Sequence, residues 1–198
     1  MRELNTTNKR ICAGIDYSMA SPGICIHLGD EWDINNCEFF YLTSRKKLQG
    51  KFGRFLTHKG VWISGDPLPD YANQEDRFDL IAKWAIDCLP IRDTEVFLES
   101  YSYASTGMVF SIGENTGVLK HKLWTLGLKY EIIAPTVIKK YATGKGNANK
   151  EIIEHTFISE TSTDFRSLLG QSDKSTNPTS DLIDAYYICK YGFHIEPV

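Results

Sequence analysis

The sequence contains no hydrophobic run long enough to cross a membrane, no internal repeat and no low-complexity linker. Its 198 residues are 42% hydrophobic and 24% charged, which is ordinary for a globular protein. We therefore expect a single domain with a core of two or three layers. The start of the chain is polar and has no apolar signal core, so we expect a cytoplasmic protein with residues 1–9 as a polar tail.

Paired cysteines of the kind that bind zinc are also missing. The odd count and wide spacing predict neither a disulfide framework nor a zinc site. Most of the cysteines lie inside apolar runs, so we interpret them as small buried hydrophobic residues. The five are Cys12, Cys25, Cys37, Cys88 and Cys189.

Positive charge is in slight deficit overall, because the formal net charge is −3, but the basic residues are clustered. A surface polarised in this way can bind a polyanion although the whole chain is acidic. For the first cluster, a solvated loop that happens to be basic is the alternative. The first cluster is Arg45, Lys46, Lys47, Lys51, Arg54 and Lys59, and the second is Lys139, Lys140, Lys145 and Lys150.

The order of predicted elements indicates an α/β domain. Short turns join the first three predicted strands, so these strands are expected to be antiparallel neighbours. Helices and strands then alternate, which predicts a mixed sheet of three antiparallel strands followed by parallel strands, with helices on both faces. The strands are predicted at 11–17, 24–28, 38–43, 94–98 and 130–134, and the helices at 71–89, 115–126, 136–141, 150–158 and 181–191.

Two segments do not follow this alternation. Residues 44–65 are rich in glycine and basic residues, with a short strand predicted at 61–64, and we interpret them as a basic insertion. Residues 160–179 are polar and rich in serine and threonine, so we expect them to be loosely held.

Four carboxylates stand at the ends of predicted elements. Asp16 and Glu99 each follow an apolar strand, and Asp181 and Asp184 open the last helix, three residues apart and hence on one face. Clustered carboxylates are costly unless something neutralises them, and hard divalent cations do so through oxygen ligands. The simpler alternatives are a turn that begins at Asp16, and a helix cap at Ser180 or Asp181. A helix cap would account for the first of the two acids on the last helix but not for Asp184.

The combination of these acids predicts a nuclease with two metal ions. Such a site needs three or four oxygen ligands from separate elements. One ion would activate water, and the other would stabilise the leaving oxygen of a phosphodiester. An all-carboxylate ligand set favours Mg²⁺, with Mn²⁺ as a substitute.

Residues 135–150 carry the most specific pattern in the chain. Gly144 and Gly146 would let the backbone approach a phosphate, and the lysines around them supply positive charge. Lys150 begins a predicted helix, whose free N–H groups also favour anions. The Gly-Lys-Ser/Thr ending of a Walker loop is absent.

This stretch resembles the RuvC family of Holliday-junction resolvases, which belongs to the RNase H-like superfamily. The family carries a Pro-x-x-Val-Lys stretch followed at fixed spacing by Gly-x-Gly-x-Ala-x-Lys. Residues 14–16 look like the first strand of the family, 98–99 like its second acid, 116–118 like the start of its dimer helix, and 181–185 like its Asp-x-x-Asp-Ala ending. The ungapped match includes Pro135, Lys139, Gly144, Gly146, Ala148 and Lys150.

The resemblance implies an RNase H-like fold and an endodeoxyribonuclease that resolves Holliday junctions or other branched DNA by paired cuts, leaving 5′-phosphate ends. It implies catalytic and metal-binding roles for Asp16, Glu99, Asp181 and Asp184, and a catalytic role for Lys150. Whether Asp181, Asp184 or both bind metal stays open, as does which of two tyrosines stacks at the junction. The candidate DNA-binding residues, from the resemblance and the basic clusters together, are Lys139, Lys140, Lys145, Lys150, Gly144, Gly146, Tyr101, Tyr103, Arg45, Lys46 and Lys47.

The resemblance also implies a homodimer, because paired cuts need two active sites. The helix at 115–126 is the candidate interface: Gly113 and Gly117 would permit close approach, and Trp124 falls off the core stripe, although it could instead pack internally. The long turn at 17–23 and the basic insertion look more like phage-type members. The location would then be the bacterial cytoplasm, or the host cytoplasm for a phage-encoded protein.

Two further functions compete with this interpretation. One is a less selective nuclease that acts on flaps, forks or RNA–DNA hybrids. The other is a branched-DNA-binding protein that has lost catalysis, and the retention of all four acids argues against it.

Overall fold

The computed structural model describes residues 9–50, 52–55, 61–90, 93–100, 108–172 and 175–195. Within these ranges, seven strands form one mixed sheet. The strands are β1 (Ile11–Asp16), β2 (Gly23–Leu28), β3 (Cys37–Thr43), β4 (Phe52–Phe55), β5 (Val61–Pro67), β6 (Thr94–Glu99) and β7 (Tyr130–Ile133). Their order in the sheet is β4-β5-β3-β2-β1-β6-β7.

The strand directions confirm the predicted mixed sheet. β1, β2 and β3 are antiparallel neighbours, while β6 runs parallel to β1 and β7 parallel to β6. On the other side, β5 runs parallel to β3 and pairs with the antiparallel strand β4. β1 is therefore an interior strand of the sheet, between the antiparallel β2 and the parallel β6.

Six α-helices lie in the described ranges, and they cover both faces of the sheet. The helices are α1 (Gln74–Cys88), α2 (Val109–Thr125), α3 (Pro135–Thr143), α4 (Lys150–Thr161), α5 (Phe165–Leu169) and α6 (Thr179–His194). Alternation along β1 sends Ala13 and Ile15 into the core under α1 and α2, and Cys12 into the core under α6. None of the helices in the described ranges is long and apolar enough to span a lipid bilayer.

Two glycines allow α6 to lie directly on the sheet. A Cβ atom at Gly14 would lie 2.2 Å from the backbone nitrogen of Cys189, and one at Gly23 would lie 2.6 Å from the carbonyl oxygen of Asp181. Any larger residue would therefore push the helix away. Because Gly23 pairs with Asp16 across the sheet, this contact sets the first turn of α6 beside the end of β1.

The prediction that residues 160–179 are loosely held is wrong for the part that the structure describes, which leaves out 173 and 174. Helix α4 continues to Thr161, and α5 follows after a short connection. The Phe165 ring packs against the rings of Phe39 and Phe157, with both centroid distances at 4.9 Å. Apolar residues between the polar ones thus anchor this segment to the core, although its overall composition is polar.

The described part of the basic insertion is ordered at the edge of the sheet rather than looped out. It contains a 3-10 turn (Lys46–Leu48), β4 and the first residues of β5. The Tyr41 hydroxyl donates to the Leu48 carbonyl oxygen at 2.7 Å, which fixes the turn to β3. The strand predicted at 61–64 is confirmed as part of β5.

Helix α2 is longer than predicted, and its aromatic residue Trp124 is exposed. Helix α2 begins at Val109, well before the predicted start at residue 115. Trp124 is 71% exposed, so its internal packing is excluded. The single domain stays a prediction, and residues 1–8 of the predicted polar tail lie outside the described residues.

We expect Gly14→Ala to lower the free energy of unfolding by about 2 kcal/mol or more, because the new Cβ atom must displace the backbone of α6. Urea denaturation at a low protein concentration measures the change. The matched control is Gly113→Ala, where an added Cβ meets no atom within 4 Å, and there a gain of about 0.5–1 kcal/mol is expected. Equal stability of the two variants would contradict the proposed tight contact of α6 with β1.

Candidate carboxylate site

Asp16 and Glu99 lie side by side at one edge of the sheet. They are the last residues of β1 and β6, and these parallel strands are in register, with Ile15 opposite Leu98. Side chains alternate along a strand, and Phe97 belongs to the core under α6. Glu99 therefore projects toward the α6 side of the sheet, and Asp16 does so as well. Both residues are half-buried.

The first two turns of α6 bring Asp181 and Asp184 to the same edge. The N-cap of α6 is Pro178, with no side-chain capping bond, and Asp181 lies inside the first turn. The alternative that Ser180 or Asp181 is the N-cap is therefore wrong. Asp181 is 4% exposed, and Asp184 is half-buried.

Burial raises the pKa of every carboxyl in this group, and repulsion from neighbouring acids raises it further at Asp16, Glu99 and Asp181. For Asp16 the pKa rises well above its ordinary value, mainly through desolvation, with further contributions from Asp181, Asp184 and Glu99. Desolvation is also the largest cause at the other three acids, raising the pKa of Glu99 to about 7 and those of Asp181 and Asp184 to about 6. Carboxylates in a low dielectric resist ionising together, so the group requires positive charge nearby.

Two lysines of the 135–150 stretch supply part of that charge. Lys150 lowers the pKa values of all four carboxyls, and Lys139 lowers those of Glu99 and Asp184. The Lys150 ammonium donates to Ser180 Oγ at 3.1 Å. The structure thus brings these two lysines together with the predicted acids.

Local backbone geometry accounts for the glycines at positions 144 and 146. Gly144 ends α3 with φ of 77°, in the left-handed region that favours glycine. A Cβ atom at Gly146 would lie 3.1 Å from the Thr136 carbonyl oxygen. Lys140 and Lys145 are exposed. Contact of this turn with DNA stays a prediction.

Arg45, in the first basic cluster, contacts the loop that precedes α6. Its guanidinium Nη1 donates to the carbonyl oxygen of Asn177, in the loop before α6, at 3.0 Å. Lys46 and Lys47 are exposed on the adjacent 3-10 turn. Tyr101 and Tyr103 lie outside the described residues.

Sequence reasoning missed Ser21, and it considered Ser180 only as a helix cap. Ser21 lies in the turn after β1 and lowers the pKa of Asp181. Ser21 Oγ and Asp181 Oδ2 are both buried, yet neither has a hydrogen-bond partner of normal geometry. In the sequence, Ser21 is followed by Pro22 and Gly23, which indicates only a turn.

The residues fit a hard divalent cation in their chemistry but do not form a finished cage. Within the described ranges, no three His, Cys, Asp or Glu side chains are placed so that they could hold a metal ion as they stand. The candidate metal ligands are all carboxylate oxygens, which Mg²⁺ prefers. One of them, Asp181 Oδ2, is a buried hydrogen-bond acceptor without a partner. The two-ion site therefore stays a prediction.

We expect Asp184→Asn to stabilise the metal-free protein, because it removes one of the repelling charges. The pKa of Asp184 is raised in the folded state, so ionisation destabilises the fold as the pH rises from about 4 through about 6. The gain should be on the order of 2 kcal/mol at pH 7.5, since one pKa unit is worth about 1.4 kcal/mol, and should be small at pH 4.

Urea denaturation in the presence of a chelator at the two pH values measures this gain. The matched control is Asp70→Asn, an exposed acid in the loop before α1, for which no gain of this size is expected. A destabilised Asp184→Asn protein at pH 7.5 would show that the carboxylates do not repel one another in the folded chain.

The chain is similar to known proteins in its fold. No protein-family model matches the chain, and no curated protein matches its sequence. Thermus thermophilus RuvC matches in structure with a TM-score of 0.53 at 19% sequence identity, over 93% of this chain and 92% of that chain. T. thermophilus RuvC in complex with Holliday junction substrate matches with a TM-score of 0.55 at 16% identity, over the same shares. The chain therefore has a RuvC-like fold, with the RNase H-like mixed sheet that the sequence predicted.

Proposed function

We propose that the protein is a RuvC-type endodeoxyribonuclease that cuts Holliday junctions and related branched DNA. The observation that carries this proposal is the gathering of four carboxylates from β1, β6 and α6 beside Lys139 and Lys150. A fold shared with a protein solved in complex with a Holliday junction substrate supports the choice of substrate. The long turn after β1 and the basic segment after β3 favour a phage-type enzyme, acting in the cytoplasm of a bacterial cell.

The four acids have the chemistry to hold divalent cations. Asp16, Glu99, Asp181 and Asp184 would bind two Mg²⁺ ions, or Mn²⁺ in their place. Cations held there would supply Lewis acidity that activates water and neutralises charge on the phosphodiester; hydrolysis of the bond between phosphorus and the 3′ oxygen would leave a 5′-phosphate and a 3′-hydroxyl. The buried and unpartnered Asp181 Oδ2 favours Asp181 as a ligand.

The lysines act on the phosphate rather than on the metal. The ammonium groups of Lys139 and Lys150 lie at the carboxylate edge, where they would attract the phosphodiester and stabilise its developing charge. The exposed lysines of the α3–α4 turn and the basic residues near Arg45 lie on separate segments. Both segments would bind flanking phosphates, with Lys140, Lys145, Gly144 and Gly146 on the first and Arg45, Lys46 and Lys47 on the second.

We expect the protein to nick a synthetic four-way junction in the presence of Mg²⁺. Asp16→Asn and Glu99→Gln should each lower the rate by at least about 100-fold, because even a residue that only orients a metal ligand is worth 10–100-fold. Gel analysis of end-labelled strands measures the rate and identifies the 5′-phosphate. Comparable cutting of forks, flaps or RNA–DNA hybrids would favour the less selective nuclease.

Two controls make this test specific. Asp70→Asn, outside the site, should cut at the wild-type rate. Mg²⁺ should raise the melting temperature of the wild type more than that of Asp16→Asn, since the variant has lost one ligand. Undiminished cutting by both site variants would refute the proposed metal site.

We also propose that the protein is a homodimer that pairs through the outer face of α2. Phe110 and Trp124 are 87% and 71% exposed, and they share a helix face with Gly113 and Gly117. Gly117 lies midway between the two aromatic residues, and an added Cβ there would meet no atom within 4 Å. An antiparallel pair of α2 helices crossing at Gly117 would therefore place each Phe110 against Trp124 of the other copy, as twofold symmetry requires.

We expect Trp124→Ala to weaken dimerisation by at least about tenfold, because truncation of a central aromatic at an interface costs about 2 kcal/mol or more. Phe110→Ala should have a similar effect, since the two residues would contact each other. Sedimentation equilibrium measures the dissociation constants, with Ile158→Ala, an exposed apolar residue on α4, as the control. A wild type that stays monomeric at about 100 μM would contradict the dimer.

A further inference from the structure

The Lys150 ammonium is tethered at the carboxylate edge by a residue of another helix, Ser180. We infer that Ser180 is a positioning residue: its hydroxyl holds the ammonium of Lys150 where the phosphodiester would react. This inference rests on the proposed nuclease function and assigns a role to a residue that is neither an acid nor a base. The contact that carries it joins Lys150 Nζ to Ser180 Oγ at 3.1 Å.

The hydroxyl of Ser180 is fixed on several sides. Besides Lys150, Ser180 Oγ lies 3.1 Å from Asn177 Oδ1 and 3.3 Å from Asp181 Oδ1. A hydroxyl has one proton to donate and lone pairs to accept with. Since Lys150 can only donate, the hydroxyl accepts from Lys150 and gives its own proton to Asn177 or Asp181. Ser180 is 7% exposed, so water has little access to compete for these bonds.

The loop before α6 holds Ser180 in turn. The Ser180 backbone N–H donates to the Thr176 carbonyl oxygen at 2.8 Å, and the Thr176 hydroxyl donates to Asn177 Oδ1 at 2.9 Å. The Arg45 guanidinium binds the Asn177 carbonyl oxygen from the segment after β3. Ser180 therefore links α4, α6 and the basic segment after β3 at one point.

A lysine in this place needs such a tether. Its ammonium is a compact charge on a flexible four-carbon stem, with no preferred direction of its own. Lys150 is exposed as a residue, so its head could turn toward solvent, yet it lies close enough to shift the pKa values of all four carboxyls. The bond to Ser180 selects this inward arrangement.

The tether predicts an effect on the chemical step and not on DNA binding. Ser180→Ala leaves the charge of Lys150 in place, so long-range attraction of the phosphate backbone is retained. The substitution removes only the hydrogen bond that orients the Lys150 ammonium. Single-turnover cleavage of a four-way junction with Mg²⁺ should slow about tenfold or more, the worth of one hydrogen bond to a charged group, while the Kd for the junction in a chelator stays within about twofold.

Three further variants separate positioning from packing. Ser180→Thr keeps the hydroxyl and should restore most of the rate. In a Lys150→Ala background, Ser180→Ala should slow cleavage no further, because the group to be positioned is gone. Thr179→Val removes a buried hydroxyl from the same helical turn, one that bonds Gln171 and not Lys150, and should leave the rate unchanged. The folded fraction of each variant is measured by circular dichroism under the assay conditions.

The outcomes distinguish this inference from the function on which it rests. If the wild type cuts the junction and Ser180→Ala cuts it equally fast, the role of Ser180 is refuted and the nuclease stands. The same holds if Thr179→Val is as slow as Ser180→Ala, or if the loss persists without Lys150. If the wild type cuts no branched DNA, the proposed function fails and the role of Ser180 fails with it.

Discussion

The close contact between α6 and the sheet is the constraint on which the rest of this structure depends. Gly14 and Gly23 have no side chains, so the backbone of α6 lies directly on β1 and β2. This contact sets Asp181 and Asp184 beside Asp16 and Glu99, which strand pairing has already brought together. If side chains at Gly14 and Gly23 held α6 further from the sheet, Asp181 and Asp184 would lie away from Asp16 and Glu99. Backbone packing, rather than any attraction between the acids, forms the group.

The group is formed against electrostatic repulsion, and the surrounding structure compensates for it. Desolvation raises the pKa values of all four carboxyls, and like charges raise those of Asp16, Glu99 and Asp181 further, while Lys139 and Lys150 oppose the rise. If the group binds cations as proposed, we expect it to be less stable empty than occupied, because stability is commonly lost where function needs like charges close together. In the proposed function, the same two lysines would also attract the phosphodiester.

Sequence reasoning was right wherever one strong local pattern decided the outcome. Apolar runs located β1, β2, β3 and β6, and the glycine-interrupted lysine stretch located the α3–α4 turn. It was wrong where sparse apolar residues controlled a polar segment, as Phe165 does between α4 and α6. Sequence reasoning also could not decide how α6 is capped, because an acid in the first turn of a helix is compatible both with an N-cap and with a buried metal ligand. Ser21 carried no pattern that could distinguish a buried partner of Asp181 from an ordinary turn residue.

The sequence by itself determined the mixed sheet, the positions of the four acids at the ends of elements, and the lysines that accompany them. These depend on hydrophobic periodicity and on short motifs, which are local properties of the chain. Only the tertiary structure decided that Asp181 is buried without a cap, that Lys150 bonds Ser180, and that Arg45 reaches the loop before α6. Those contacts join residues that are far apart in sequence, and their geometry depends on how closely α6 packs on the sheet.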